Sequence, residues 1–450
     1  MEPSATTLAG GAGGIAGGAA RPISAGRVHL QALDGCRALA ALGVLVTHVA
    51  LLSGYAARNE VVGPYLARMD VGVSIFFVLS GFLLYRPFVA ARLRGDHPGD
   101  LGAYARRRVL RIVPAYWVAL TIVAFVLRAP GFEEPHSVVS HYLLLHVYDS
   151  TQLVGGPIQQ AWSLATEVAF YTFVPIWAWV MSRRQRPPER QVRVEVVALV
   201  ALFVASLLAN LVLIGIDTSQ SRFAQLGTWL PFRIGDFVPG MLLAVLTARW
   251  SQRGAHLPRW VTGAPLTSGC WAAGAVVFWF VSTQLDLPMF PTFSPEQALG
   301  VRLIYTTFAT LLVVPAVLAR QDRGPVRAVF ANPVAVWLGL VSYGIYIWHE
   351  AWQDMFLRWT GQASLAASFR DMLLVTVALS LACAAASWYL VERPVMRWAV
   401  RPRPLERWTA QLRSSSHSGV GGSSATTSNP GSPTGSSSPP GMSSSASSSR

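Results

Sequence analysis

The sequence predicts an all-α membrane protein, a polytopic bundle of about ten transmembrane helices with both termini in the cytoplasm. Three observations support this fold class. Hydrophobic residues make up 52% of the 450 residues and charged residues only 13%, whereas a soluble domain usually carries about 25% charged residues. Ten apolar segments are long enough to cross a bilayer, which takes roughly 20 residues each. Arginines gather in every second connecting loop, as they do in cytoplasmic loops.

The apolar segments place the membrane domain at residues 29–398. The predicted spans lie at 36–54, 71–92, 109–128, 159–181, 194–216, 228–248, 265–284, 300–319, 333–357 and 371–392. The segment 1–28 is rich in Gly and Ala and lacks the basic start and apolar core of a signal peptide, so we expect a disordered tail. Residues 399–450 form a basic flank followed by a Ser/Gly/Pro-rich tail that cannot bury a core.

Loop charges test the number and direction of the spans. With the N-terminus in the cytoplasm, arginine clusters at 92–108, 183–193, 249–259, 320–327 and 393–403 all lie on the cytoplasmic side. The opposite loops hold Glu60, Glu133, Glu134, Asp149, Asp286 and Glu296. A wrong span count would break this alternation, which predicts a multi-pass protein of the plasma membrane. It also accounts for the net charge of +14 without a nucleic-acid partner.

No metal site is expected from the sequence. Cys36, Cys270 and Cys383 have neither metal-binding nor redox spacing. The long outer loop 129–158 carries three histidines five residues apart, at 136, 141 and 146. Such spacing does not place them on one helical face, so we expect solvated loop histidines.

Ionisable groups inside a span are costly and indicate pairing or function. The first span contains Arg37 and, eleven residues later, His48. Eleven residues are nearly three helical turns, so both side chains point the same way and lie ~16 Å apart along the axis. Asp34, three residues before Arg37, is predicted to pair with it.

Two further spans place polar groups at a depth similar to that of His48. The fourth contains Trp162, Ser163 and Glu167, and the ninth contains Tyr346 and His349. Two histidines and a carboxylate lining one cavity suit proton abstraction from a hydroxyl. They would equally suit a proton relay in a transporter, and the residues alone leave both readings open.

The predicted cytoplasmic side carries a group of arginines near the start of the third span. Arg108 and Arg111 stand there, Arg86 ends the second span, and Arg37 begins the first. Together they predict a site for a polyanion such as a nucleotide phosphate. The sixth span opens with Arg233 and Asp236, which are expected to pair in a mainly structural role.

In this order, these motifs resemble the acyltransferase 3 family of integral membrane acyltransferases. The matching segments are LDGCRALA at 33–40 with His48, FFVLSGFLL at 76–84, RRVLRIVPAY at 107–116, WSLATEVAFY at 162–171, RIGDFVPG at 233–240, SYGIYIWH at 342–349 and ERP at 392–394. Ser74 departs from the pattern, since many members have an acidic residue there. The chain is also expected to lack the additional C-terminal domain of some members and to be of the stand-alone type.

The resemblance implies transfer of an acyl group, often acetyl, from acyl-CoA to a hydroxyl of a carbohydrate, envelope glycan, lipid or macrolide-type acceptor. In this hypothesis His48 is the general base or, alternatively, a transient acyl carrier, and Glu167 orients it. His349, with Tyr346 or Ser163, stabilises the oxyanion or positions the acceptor. The hypothesis assigns two further groups of residues. Those that bind CoA are Arg37, Arg86, Arg108 and Arg111, and those that bind the substrate are Trp162, Ser163, Tyr171 and Tyr346.

Three other functions are alternatives to this hypothesis. A proton-coupled exporter or flippase would use the same histidines and glutamate as a relay, but no clear internal repeat supports it. A scaffold protein without activity would have no reason to retain a buried arginine and histidine. A glycosyltransferase would be expected to show acidic loop motifs, whereas the acidic residues of the outer loops are scattered.

Overall fold

The computed structural model describes residues 30–96, 99–132, 134–149, 156–216, 220–254, 257–290 and 292–400. The predicted tail 1–28, the tail after residue 400 and Glu133 lie outside the described residues. Within the described ranges every regular element is helical. The predicted all-α membrane fold is therefore confirmed.

Ten helices of 19 or more residues lie within the described residues, and they correspond one to one with the ten predicted spans. They are α1 Gln31–Leu52, α2 Gly72–Arg94, α3 Leu101–Thr121, α4 Ala161–Ser182, α5 Pro188–Ile216, α6 Leu230–Gln252, α7 Ala264–Thr283, α8 Pro295–Leu318, α9 Pro333–Thr360 and α10 Phe369–Ser387. Short helices join or extend them at Tyr55–Arg58, Gly63–Leu66, Met69–Val71, Ile122–Val126, Pro135–Tyr142, His146–Tyr148, Gln220–Leu226, Arg259–Thr262, Pro325–Val329, Trp388–Glu392 and Arg393–Val400.

Nine of the ten long helices in the described part of the chain are apolar enough to cross a membrane by length and composition. The exception is α9, whose second half contains His349, Glu350 and Asp354. His349 is buried and Glu350 partly buried where α9 packs along α1 and α10, whereas Asp354 is exposed. The cytoplasmic position of the two termini stays a prediction.

Two helix pairs determine where the polar residues meet. The most extensive contact joins α2 to α6, and α1 packs along α9. Between α2 and α6 a Cβ atom on Gly81 would lie 2.1 Å from the Phe237 carbonyl oxygen, and one on Gly240 would lie 2.0 Å from that of Val78. Glycine is required at both positions because the two backbones touch, as in small-residue packing of membrane helices.

The loop histidines correct one expectation. His141 and His146 are buried, at 1% and 3% exposure, and their rings stack with centroids 4.7 Å apart. Helix Pro135–Tyr142 ends between them, so helical spacing does not govern how their rings meet. Burial lowers the pKa of His146 to about 3. Only His136, at 59% side-chain exposure beside Asp149, remains a solvated histidine as predicted.

Candidate active site

The packing of α1 along α9 brings His48 against two residues of α9. Its Nδ1 atom lies 2.8 Å from Nε2 of His349 and 2.9 Å from Oε1 of Glu350. The two imidazole rings are stacked, with centroids 5.0 Å apart and an interplanar angle of 17°. Residues 301 positions apart in the sequence therefore form one polar centre inside the bundle.

The hydrogen bonds assign the protons of this centre. Nδ1 of His349 lies 2.8 Å from the Tyr346 carbonyl oxygen, which can only accept, so Nδ1 carries the proton and Nε2 accepts. Nδ1 of His48 must then be the donor, and its proton is shared between His349 and Glu350. Nε2 of His48 is left with its lone pair and has no partner among the described residues. A histidine in this tautomer, held by a carboxylate, is arranged as a general base.

Glu350, and not Glu167, is thus the carboxylate beside His48. Glu167 on α4 accepts hydrogen bonds from Ser80 and, at 3.0 Å, from the Tyr171 hydroxyl. It lines a different cavity from His48, so the predicted orienting contact is not formed. Glu350 could have been found from the sequence, since it is a carboxylate inside a predicted span.

His349 is also placed differently from the prediction. It is 0% exposed, and it lines neither of the two cavities described below. Its two ring nitrogens contact the Tyr346 carbonyl and His48. We therefore interpret His349 as a residue that positions His48, and not as one that contacts the acceptor or an oxyanion.

His48 and Glu350 open into a cavity of about 510 Å³, which we call the histidine cavity. Its volume is within the range usual for small-molecule sites. The other polar lining residues are Asp70, Ser74, Gln159, Gln160, Gln220, Thr228, Arg233, Arg302, Tyr305 and Tyr346. Trp162 lines it too, with the Arg233 guanidinium 4.9 Å above its ring. An aromatic face among many hydrogen-bonding groups suits a polar, hydroxyl-bearing ligand.

A second, narrower cavity of about 90 Å³ lies toward the N-terminal end of α1. This arginine pocket is lined by three of the four arginines that were predicted to bind CoA. Its lining residues include Arg37, Arg108, Arg111, Glu167 and Tyr171. Arg37 is paired with Asp34 at 3.0 Å, as predicted. The pocket carries more positive than negative groups and therefore favours an anion.

Arg86 is not among the residues that line the arginine pocket. The pocket-facing residues of α2 include Val73, Phe76, Ser80 and Leu83, which form one helical stripe. Position 86 is three residues beyond Leu83 and about 60° around the helix from it, past the end of the pocket-facing stripe. The prediction that Arg86 binds the donor therefore has no support from the geometry.

Tyr346 lines both cavities and marks where they meet. Its hydroxyl lies 2.7 Å from Oγ of Ser163 and 3.2 Å from the Gln160 carbonyl oxygen. Gln160 in turn donates from Nε2 to the carbonyls of Tyr346 and Ile347, both at 2.9 Å. The predicted substrate residues Ser163 and Tyr346 thus form one pair at the junction, held by Gln160, which the sequence analysis did not single out.

The donor atoms of His48, His349 and Glu350 lie within 4.8 Å of one another and could hold a metal ion. Nδ1 of His48 is only 2.8 Å and 2.9 Å from the other two. Ligands of a tetrahedral zinc ion with bonds of ~2.0 Å are about 3.3 Å apart. The spacing therefore favours a shared proton, and the absence of a metal requirement stays a prediction.

Comparison with known proteins identifies the family to which most of the chain is similar. The model of the "Acyltransferase domain" family matches residues 30–392. "Acyltransferase MdmB" of Streptomyces mycarofaciens is 26% identical over 345 residues, covering 72% of this chain and 78% of that protein.

Two further relatives are named for O-acetyl transfer. "O-acetyltransferase OatA" of Staphylococcus aureus is 22% identical over 338 residues, 71% of this chain and 50% of the relative. "Peptidoglycan O-acetyltransferase OatA" of Listeria monocytogenes is 25% identical over 338 residues, 72% of this chain and 49% of the relative. The chain thus spans about half the length of the OatA proteins. No solved structure gives a significant match.

The family match extends from the start of α1 through the end of α10, and so contains both the histidine cavity and the arginine pocket. The chain is a multi-pass membrane protein that belongs to the acyltransferase 3 family.

Proposed function

We propose that the protein is an O-acyltransferase of the plasma membrane that moves an acyl group, most simply acetyl, from acyl-CoA to an acceptor hydroxyl. The observation that supports this most directly is the contact of His48 Nδ1 with Glu350 at 2.9 Å. It directs the lone pair of Nε2 toward a reacting group. The acceptor is a carbohydrate, envelope glycan, lipid or macrolide-type molecule.

In the proposed reaction the acceptor hydroxyl binds in the histidine cavity. Nε2 of His48 takes its proton as the oxygen attacks the thioester carbonyl carbon, and a C–O bond forms. The tetrahedral intermediate collapses, the C–S bond breaks, and the CoA thiolate takes the proton back from Nε2. Glu350 stabilises the imidazolium that exists between the two steps.

The junction of the two cavities is where the thioester carbonyl would lie. One of the hydroxyls of Tyr346 and Ser163, 2.7 Å apart, would donate a hydrogen bond to the negative oxygen of the intermediate in place of its bond to the Gln160 carbonyl. Arg37, Arg108 and Arg111 would hold CoA phosphates at the other end of the donor. The ~16 Å between Arg37 and His48 along α1 suits a donor that is charged at one end and reactive at the other.

The test is transfer of label from radiolabelled acetyl-CoA in lipid nanodiscs that contain the full chain, with a cell extract supplying acceptors. Wild type is compared with His48→Ala, and Arg320→Gln in an exposed loop ion pair serves as the control. We expect labelled product with wild type and Arg320→Gln only. Equal labelling with His48→Ala would refute the mechanism. If a panel of acyl-CoA donors gave no labelled product with wild type, a proton-coupled exporter or flippase would become the leading function.

A further inference from the structure

A buried positive charge at one end of the histidine cavity has no role in the proposed reaction. Arg302 on α8 is 8% exposed and lines the cavity together with His48 and Glu350. Its Nη1 atom donates to the Asn210 side-chain oxygen and to the Phe232 carbonyl, each at 3.0 Å. Both acceptors are neutral, so neither compensates the charge of the guanidinium.

The neighbouring carboxylate is already in use. Asp236 accepts from Arg233 on one oxygen at 3.2 Å and from Thr306 on the other at 3.0 Å. The corner formed by Arg233, Arg302 and Asp236 thus contains two cations and one anion among the described residues. An uncompensated charge at membrane depth is costly, and such residues usually face a ligand or a water-filled cavity.

The face of α8 that carries Arg302 also lines a further part of the cavity wall. Ala298, Val301, Arg302 and Tyr305 all line it, at the spacing of one helical face. Tyr305 donates to Asp70 at 2.6 Å, and no hydrogen bond or ion pair joins Asp70 to Arg302 among the described residues. The cavity has a basic catalytic pair on α1 and α9 and a cationic corner on α5, α6 and α8.

We propose that Arg302 binds an anionic group of the acceptor, a carboxylate or a phosphate, while the acceptor hydroxyl lies at His48. This inference rests on the proposed function and names the substrate class for the same cavity. An acidic sugar or a phosphate-bearing envelope molecule has this chemistry. Arg233 contributes less to binding an anion, because its own charge is compensated by Asp236.

A structural role for Arg302 is the main rival, because its hydrogen bonds join α8 to α5 and α6. That connection does not depend on the guanidinium alone. Asn210 on α5 donates directly to the Phe232 carbonyl on α6 at 3.0 Å. Arg302→Gln keeps a neutral donor next to Asn210, and Arg302→Lys keeps the positive charge, so the two variants separate charge from packing.

The test measures steady-state transfer of label from acetyl-CoA to the acceptor fraction that wild type labels. Part of that fraction is first treated with carbodiimide and borohydride to reduce carboxylates, and another part with phosphatase. With wild type we expect one of the two treatments to raise KM for the acceptor by roughly 30-fold, the usual size for loss of a buried charge pair. That treatment identifies the anionic group.

With the untreated acceptor we expect Arg302→Gln to raise KM by a similar factor, to change kcat less than twofold and to leave KM for acetyl-CoA unchanged. Arg302→Lys should raise KM for the acceptor less than Arg302→Gln does. With the treated acceptor, Arg302→Gln should raise KM little further, because the group that Arg302 binds is already gone. Three results would overturn the proposal. The first is that neither treatment changes KM for the acceptor with wild type, and the second is that Arg302→Gln raises that KM by the same factor with treated as with untreated acceptor. The third is a change in Arg302→Gln that is confined to KM for acetyl-CoA. Absence of label with wild type would instead count against the proposed function.

Discussion

Two stacked pairs of histidines occur in the described part of the molecule, and they differ in what surrounds them. His48 and His349 stack at 5.0 Å beside Glu350 and next to a large cavity. His141 and His146 stack at 4.7 Å in the loop between α3 and α4, and His146 has no hydrogen-bond partner for either nitrogen among the described residues. Ring geometry is nearly the same in both pairs. The first pair has a carboxylate 2.9 Å from a ring nitrogen and opens into a cavity with space for a substrate, and these two features separate a candidate base from a packed side chain.

The most direct test of whether the two pairs differ in function is to remove one histidine from each. We expect His48→Ala to lower kcat by about 10³-fold, within the range for loss of a general base. His146→Ala should lower activity per folded molecule less than twofold, because it faces neither cavity. Label transfer normalised to the folded fraction in size-exclusion chromatography checks both. A large loss of activity in folded His146→Ala would show that the comparison is mistaken.

The carboxylate is the next difference to test. Glu350→Gln keeps the shape of the side chain and removes its charge, so the imidazolium of His48 loses its stabilising partner. We expect kcat to fall about 100-fold with little change in either KM. Glu167→Gln, in the other cavity, is the matched substitution. If it lowered kcat more than Glu350→Gln did, Glu167 would be the better candidate for the partner of the base.

A smaller effect is expected where the donor binds. Arg108 lines the arginine pocket and lies 6.0 Å from the centre of the Tyr171 ring, whereas Arg86 does not line this pocket. Arg108→Gln should raise KM for acetyl-CoA about tenfold through loss of a phosphate contact. Arg86→Gln should change KM less than twofold. Initial rates at varied acetyl-CoA measure both, and equal effects would place the donor outside this pocket.

The smallest effect concerns stability. Folding holds the pKa of His146 at about 3, below the value near 6.5 of an unfolded histidine. The unfolded state therefore binds a proton first, and stability is lost as pH falls from about 6.5 toward 3. At pH 5 the cost is at most about 2 kcal/mol. Melting temperatures in detergent at pH 7.5 and pH 5 should differ more for wild type than for His146→Phe, with His136→Asn, at an exposed histidine, behaving like wild type. An equal pH response in His146→Phe would contradict the assignment.

Much of the fold could be predicted because hydropathy, length and loop charge act locally. The ten long helices that the structure describes coincide with apolar segments, and the Asp34–Arg37 and Arg233–Asp236 pairs, each three residues apart, form as expected. The site was predicted less completely. The sequence indicated His48, His349 and the arginines at the start of α1 and α3, since each is a polar group inside an apolar run.

Only the tertiary structure decided which polar groups meet. Helix packing places Glu350 beside His48 and Glu167 in the arginine pocket, and it leaves Arg86 outside that pocket, although all three are ionisable groups in or next to predicted spans. The uncompensated charge of Arg302 is likewise invisible in the sequence, because it depends on Asp236 being fully engaged by α6 and α8. The sequence by itself determined the membrane fold and the polar residues that its spans contain. The packing of α1 on α9 and of α2 on α6 determined their partners, because contacts across a bundle depend on helix rotation and close approach.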